Sequence, residues 1–227
     1  MNKVYNYCGN TRDLGIYKTK DGKDIQINKL IRSNLPDKEN EDFIQFLTQN
    51  NINTIVDFRT EKEYKDRGSI FEKNKLFKIH HLELSNGSKI PNSKEDVPQS
   101  YISMLEEKDM IYKFFKLLET EDGILYFCRG GKDRTGVISM LMLMMFKADE
   151  ETIKNDYIQT RDYVEEMISN NPKLEQYRDI ITPCEEYADE FFELFNEKYG
   201  TVENYLNNIG ITDEDISIIR NKYLDIK

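Results

Sequence analysis

The two strongest apolar runs in the chain lie almost back to back. Gly123 to Phe127 reads as a short buried strand, and Val137 to Phe146 is long and apolar enough for a buried helix. Between them sits a polar loop, Cys128-Arg-Gly-Gly-Lys-Asp-Arg134, followed by Thr135 and Gly136. Weaker patterns flank this centre. Asp24 to Ser33 is consistent with one or two short strands after the turn at Asp21-Gly22, and Asn53 to Phe58 and Leu76 to Leu84 read as further strands. Asp37 to Asn50 puts Phe43, Ile44, Phe46 and Leu47 on one helical face, with acidic residues early in the run. Glu61 to Asp66 is a short charged helix or turn. Val97 to Thr120 holds one or two helices whose inner face includes Tyr101, Met104 and Leu105. Ala148 to Ser169, Pro183 to Tyr199, Val202 to Asn208 and Thr212 to Leu224 continue as helices, with a break at Asn171-Pro172 and a stop at Gly200. Asn10 to Tyr17 and Ser85 to Pro98 read as loops. Strands alternating with helices, then helices alone, predict one α/β domain over residues 1–227. Its small, mostly parallel sheet is flanked by helices, and its C-terminal part is helical.

The loop carries the chemistry. Glycines let successive backbone N–H groups converge on one concavity, and a helix N-terminus adds further N–H groups and the positive end of its dipole. Such a cradle suits a tetrahedral oxyanion. Cys128 stands at its entrance, and a thiol attacks as thiolate, the form that a helix N-terminus and cations favour. Arg134, after five intervening residues, can clamp two oxygens of a phosphoryl group at once. The implied reaction is hydrolysis of a phosphate monoester through a phosphocysteine. Cys128 is the nucleophile and Arg134 the phosphoryl clamp. Arg129, Gly130, Gly131, Lys132, Thr135 and Gly136 form the substrate-binding loop, where Lys132 adds charge that favours heavily phosphorylated substrates. No metal or cofactor is required.

Other chemistries fit less well. A nucleotide-binding loop needs Gly-Lys-Ser/Thr, and Lys132 is followed by Asp133. A cysteine protease needs a histidine base, and only His80 and His81 exist, side by side in a strand. Asp133, inside the loop and one residue before Arg134, is a candidate general acid; its alternative is to accept loop N–H bonds and hold Arg134. Asp96 is a second candidate acid, set against a plain helix start before Val97-Pro98. Asp57 and Arg59 close the strand at Asn53 to Phe58, at the end where open α/β sheets bind ligands. They divide between substrate contact and a structural ion pair.

These residues resemble the signature of cysteine-dependent phosphatases, in a Cys-x-x-Gly-Lys-Asp-Arg-Thr-Gly form similar to an atypical bacterial group of tyrosine and phosphoinositide phosphatases. Asn10-Thr-Arg-Asp-Leu-Gly15, Leu30-Ile-Arg-Ser33, Ile55-Val-Asp-Phe-Arg59 with Glu63, Asp156-Tyr157 with Thr160, and Tyr199 to Tyr205 resemble that group's other markers, in order along nearly the whole chain. The resemblance implies the phosphatase fold, a segment from Asn10 packed beside the site, and an acid–base role for Asp133. Two positions depart from the pattern. Ile16 stands where a second glycine is usual, and Phe127 stands where the histidine before the cysteine helps to polarise the thiolate. Phe127 leaves room for a second reading, a weakened phosphatase that captures phosphorylated ligands without turnover. A third reading, arsenate or sulfur transfer on the same loop, needs partner cysteines, and Cys8 and Cys184 sit in no motif.

Composition adds limits. With 227 residues and 38% hydrophobic content, one sizeable core is expected. A formal net charge of -10 makes a poor nucleic-acid binder, so an anionic substrate must be drawn in by the local cations of the loop. No run is long enough for a transmembrane span, the start of the chain lacks a leader's apolar core, and three cysteines build no disulfide framework. The expectation is a cytoplasmic monomer acting on a phosphorylated protein or phosphoinositide; export by a route that reads no classical leader is compatible with the sequence.

Overall fold

A computed structural model describes residues 4–5 and 7–225. Six strands form one sheet in the order β1-β2-β3-β6-β4-β5. They are β1 (Val4–Tyr5), β2 (Thr11–Asp13), β3 (Leu30–Ser33), β4 (Thr54–Asp57), β5 (Lys78–His81) and β6 (Ile124–Phe127). The four strands β3, β6, β4 and β5 are parallel, and β2 and β1 extend the β3 edge antiparallel. The last strand in sequence is therefore inserted between β3 and β4. Its carboxyl end, Phe127, is level with Ser33 and Asp57. A loop leaving β6 opens into the crevice flanked by both neighbours.

Side chains alternate across the parallel strands, as the two-residue period requires. Leu30, Val56, Ile124 and Tyr126 face the larger apolar layer, and Ile31, Ile55, Leu125 and Phe127 face the smaller. Helix α1 (Glu41–Gln49), capped by Asn40, covers the smaller layer with Phe43 and Leu47. The short α2 (Glu61–Asp66) follows β4. The larger layer is built from α3 (Asp96–Met104), α4 (Lys108–Thr120) and α5 (Asp133–Met145). The chain then continues through α6 (Glu150–Ile158), α7 (Thr160–Asn170), α8 (Arg178–Ile181), α9 (Glu185–Tyr199), α10 (Val202–Asn208) and α11 (Asp213–Tyr223). Helix α5 is buried nearly all round, which explains a run without an amphipathic face. Thr212 and Asp215 form a capping box at α11, and Gly200 ends α9 at φ 75°. Among the described residues no helix is long and apolar enough to cross a membrane.

Two expectations need correction. Thr11 to Asp13, read as loop, is a strand in which all three polar residues are buried. The apolar run that marks the central helix begins at Val137, but the helix itself begins at Asp133, so part of the polar loop is its first turn.

Candidate active site

Cys128 follows β6 directly and is 3% exposed. The five residues after it turn into the first turn of α5. Their carbonyls are tied outward. Leu35 N donates to Arg129 O (3.1 Å), Asn10 Nδ2 to Gly130 O (3.0 Å) and Gly131 O (3.1 Å), and an Arg32 terminal nitrogen to Gly131 O (2.8 Å). With the carbonyls so fixed, the peptide N–H groups point the other way. Among the described residues no protein acceptor takes the N–H groups of Arg129 to Arg134, while Gly136 N already bonds Lys132 O (2.7 Å). Gly131 has φ 66°, and a Cβ there would lie 2.5 Å from Ser33 O and 2.7 Å from Asn34 N, so no other residue fits. Gly130 faces open space and Gly136 only ordinary contacts; their substitution meets no such obstacle. Thr135 is fully buried, and its hydroxyl has no partner among the described residues.

Behind the loop lies a buried polar network, in which Arg32 Nε alone of the arginine nitrogens has no partner among the described residues. Asp156 of α6 receives Arg12 Nε (2.8 Å), pairs with Arg32 and accepts the Tyr17 hydroxyl (3.2 Å). Arg12 also donates to Asp156 O (2.7 Å), Thr160 Oγ1 (3.2 Å) and Asn10 Oδ1 (2.5 Å). Burial alone would push the Asp156 carboxyl up, but the two guanidinium groups outweigh it and hold the carboxyl below its ordinary value. The polar positions of the Asn-x-Arg-Asp-Leu-Gly segment are thereby explained. Asn10 and Arg12 hold the loop from behind. Asp13 caps its own 3₁₀ turn through Gly15 N (2.8 Å) and takes Asn28 N (2.5 Å). Ile16, at the unusual position, is half-buried against the main core.

On the open side, Arg134 is clamped by Glu63 of α2 through two bonds, 2.6 Å and 2.9 Å. Partial burial raises the Glu63 carboxyl, but the Arg134 bonds and the Thr60 cap prevail and bring it down to about 2. Arg134 is correspondingly held in its charged form by Glu63 against the opposing effect of burial. Gly87, in the turn after β5, packs so closely on the Arg134 stem that a Cβ would collide with it. Asp133 is 37% exposed at its side chain. Its Oδ1 accepts the Tyr101 hydroxyl (2.8 Å) and pairs with the Lys132 ammonium (2.6 Å).

The expected site residues separate accordingly. Cys128, Asp133 and Arg134 come together on one loop, and exposed Arg129 stands at its rim. Lys132 does not offer a free charge: it is 6% exposed and committed to Asp133. Asp57 and Arg59 form the structural ion pair that is one of their two readings. Both are buried and spent on each other (2.6 Å), and Arg59 also binds Arg67 O (2.5 Å) at the end of α2. They anchor the helix that carries Glu63. Asp96 accepts Ser93 N and Oγ (3.2 Å each) in the first turn of α3 and is a helix-start residue. His80 and His81 lie on edge strand β5, separated from β6 by β4. Phe127 joins the smaller apolar layer, its ring 5.7 Å from the Arg59 guanidinium carbon. Helical periodicity places Tyr101 in the core. It is core, but its hydroxyl reaches Asp133, and no apolar period could reveal that.

Comparison with known proteins gives the family. The tyrosine phosphatase family model matches residues 4–225. A Cupriavidus necator protein that carries a tyrosine-protein phosphatase name is 21% identical over 97% of this chain and 88% of its own. The triple specificity protein phosphatase PtpB of Mycobacterium tuberculosis is 26% identical over 48% of this chain and 47% of its own. A crystal structure of P. aeruginosa TpbA, a cysteine-to-serine form in complex with phosphotyrosine, covers 86% of this chain and 85% of its own at 12% identity and a TM-score of 0.34. With the family model spanning the described fold from its first strand to beyond its last helix, the chain belongs to the tyrosine phosphatase family.

Proposed function

We propose that the protein hydrolyses phosphate monoesters through a phosphocysteine on Cys128, with phosphotyrosine in proteins as the principal substrate. Phosphoserine, phosphothreonine and phosphoinositides are further substrates of the same site; the PtpB relative is named a triple specificity protein phosphatase. The observation that carries this reading is the set of unclaimed N–H groups from Arg129 to Arg134, wrapped around the exit of Cys128. The phosphoryl oxygens take those donors and the free edge of the Arg134 guanidinium, whose other edge Glu63 holds.

The thiolate of Cys128 attacks phosphorus. A sulfur–phosphorus bond forms as the ester oxygen–phosphorus bond breaks, and Asp133 gives its proton to the leaving oxygen. Asp133, now a carboxylate, takes a proton from water as that water attacks phosphorus. The sulfur–phosphorus bond breaks, phosphate leaves, and the thiolate and the protonated Asp133 are restored. Phe127 removes no group that touches the phosphoryl, since its side chain lies in the apolar layer.

The test is phosphate release from a phosphotyrosine peptide, a phosphoserine peptide and a phosphoinositide panel, with Cys128→Ser as control. Release by the wild type alone supports the reading, and the panel ranks the substrates. Tight binding of the peptides by the wild type without release would replace it with a phospho-ligand binding module.

A further inference from the structure

Asp133 is held by more than the loop. Its Oδ1 receives both the Tyr101 hydroxyl (2.8 Å) and the Lys132 ammonium (2.6 Å). Tyr101 is fully buried on α3, with its ring edge-on to Tyr157 of α6 (6.0 Å between centroids) and to Phe191 of α9 (6.4 Å). A phenol has one hydrogen to give, and Tyr101 gives it to Asp133. The 2.7 Å contact between the Tyr101 and Tyr157 hydroxyls must then run from Tyr157 to Tyr101. The Tyr101 oxygen also receives the Lys132 ammonium at 3.4 Å. The chain of donors is therefore directional, Tyr157 to Tyr101 to Asp133, and it comes from two helices outside the phosphate loop. Burial and the neighbouring Asp133 keep both phenols in the neutral, donating form.

We infer that Tyr101, backed by Tyr157, is a positioning residue that fixes Oδ1 of Asp133 together with Lys132 and leaves Oδ2 as the oxygen that carries the catalytic proton. The inference rests on the acid–base reading of Asp133 above. It also assigns Lys132 to the acid rather than to the substrate. A carboxylic acid needs its proton on the oxygen that faces the leaving group. Two donors on Oδ1 bar the proton from that atom, because a carboxyl oxygen that already accepts twice is a poor site for a third hydrogen. The groups facing this carboxyl from the packed elements are Lys132, Tyr101, Tyr157 and Arg134.

The test uses leaving groups, which a merely structural role would not sort. kcat/KM is measured for para-nitrophenyl phosphate, phenyl phosphate and a phosphoserine peptide, whose leaving oxygens need a proton increasingly in that order. The proteins are the wild type, Tyr101→Phe, Tyr157→Phe, Lys132→Met and Asp133→Asn. Tyr101→Phe should lose about tenfold on the phosphoserine peptide and under about twofold on para-nitrophenyl phosphate. That loss is a part of the roughly 10²–10⁴-fold worth of a positioned acid. Inhibition by inorganic phosphate should not change. Tyr157→Phe should shift in the same direction by less. Asp133→Asn should show the steepest dependence on leaving group. Equal losses across the series for Tyr101→Phe, or none, overturn the inference while Asp133→Asn remains steep. A flat series for Asp133→Asn overturns the acid reading itself. Should Tyr101→Phe not fold, Lys132→Met and Tyr157→Phe decide: both must penalise the phosphoserine peptide selectively, and a uniform effect in either overturns the inference.

Discussion

Arginine meets carboxylate on both sides of the phosphate loop, and the two sides use the pairing differently. On the rear side, Arg12 and Arg32 share Asp156, and their groups are buried and directed at the loop's carbonyls or at another network member, except Arg32 Nε, which has no partner among the described residues. On the open side, Arg134 gives one edge to Glu63, Asp133 gives one oxygen to Tyr101 and Lys132, and the loop N–H groups are left unclaimed. The rear spends its hydrogen-bonding capacity to hold a backbone conformation. The front is satisfied only as far as is needed to orient groups that still have something to bind. A buried charge without a partner is costly, so the charges of the rear must be paired to be tolerated; the front can be incomplete because its remaining capacity faces solvent or substrate.

The contrast can be broken experimentally, since front substitutions should remove turnover and rear substitutions should remove stability. Cys128→Ser is expected to lower turnover by about 10⁴-fold or more, as loss of a nucleophile does, with the melting temperature unchanged; phosphate-release assays and calorimetry check both. Asp156→Asn leaves two buried guanidinium groups facing each other and should cost about 3–5 kcal/mol of stability, read by urea unfolding. A smaller loss would show that Asp156 does not hold the two guanidinium groups in the manner described. Arg134→Lys keeps the charge but loses the fork and should lower kcat/KM by about 10²–10³-fold with stability nearly intact.

Glu63→Gln should have a milder effect, about tenfold on kcat/KM, because Arg134 stays but turns more freely. The pH dependence of this pair has a definite sign. The Glu63 carboxyl at about 2 lies below its unfolded value, so its stabilising contribution is present above the ordinary carboxylate range and is lost as pH falls through about 2. The acid limb of a pH–rate profile should therefore be the same in Glu63→Gln and in the wild type, and a displaced limb would show that Glu63 titrates during activity. Asp96→Asn, distant from this contrast, should leave turnover unchanged and stability within about 0.5 kcal/mol.

The front was largely legible in the sequence because its parts are contiguous. One strand, one loop and one helix start carry Cys128, Asp133 and Arg134, and the apolar runs on either side fix their frame. The rear was not legible from pattern. Thr11, Arg12 and Asp13 are polar, so hydrophobic alternation assigns them to a loop, yet they are a buried strand whose Arg12 finds its partners, Asp156 and Thr160, far along the chain. Only the family resemblance marked them. Asp57 and Arg59 show the converse case. Polar residues at the carboxyl end of a central strand suggest ligand contact, and here they serve one step behind, holding the helix that holds Arg134. Lys132 looked like free charge because sequence gives no sign that its neighbour in the chain, Asp133, is also its neighbour in space.

The central claim is that the front of the loop forms a covalent bond to phosphorus. The most direct measurement is intact-protein mass spectrometry after rapid acid quench of the enzyme mixed with a phosphotyrosine peptide, followed by fragmentation to locate any adduct. The account predicts a transient gain of one phosphoryl group on Cys128, absent in Cys128→Ser and longer-lived in Asp133→Asn, where the attacking water lacks its base. Steady phosphate release by the wild type with no adduct at any quench time in either the wild type or Asp133→Asn would contradict it.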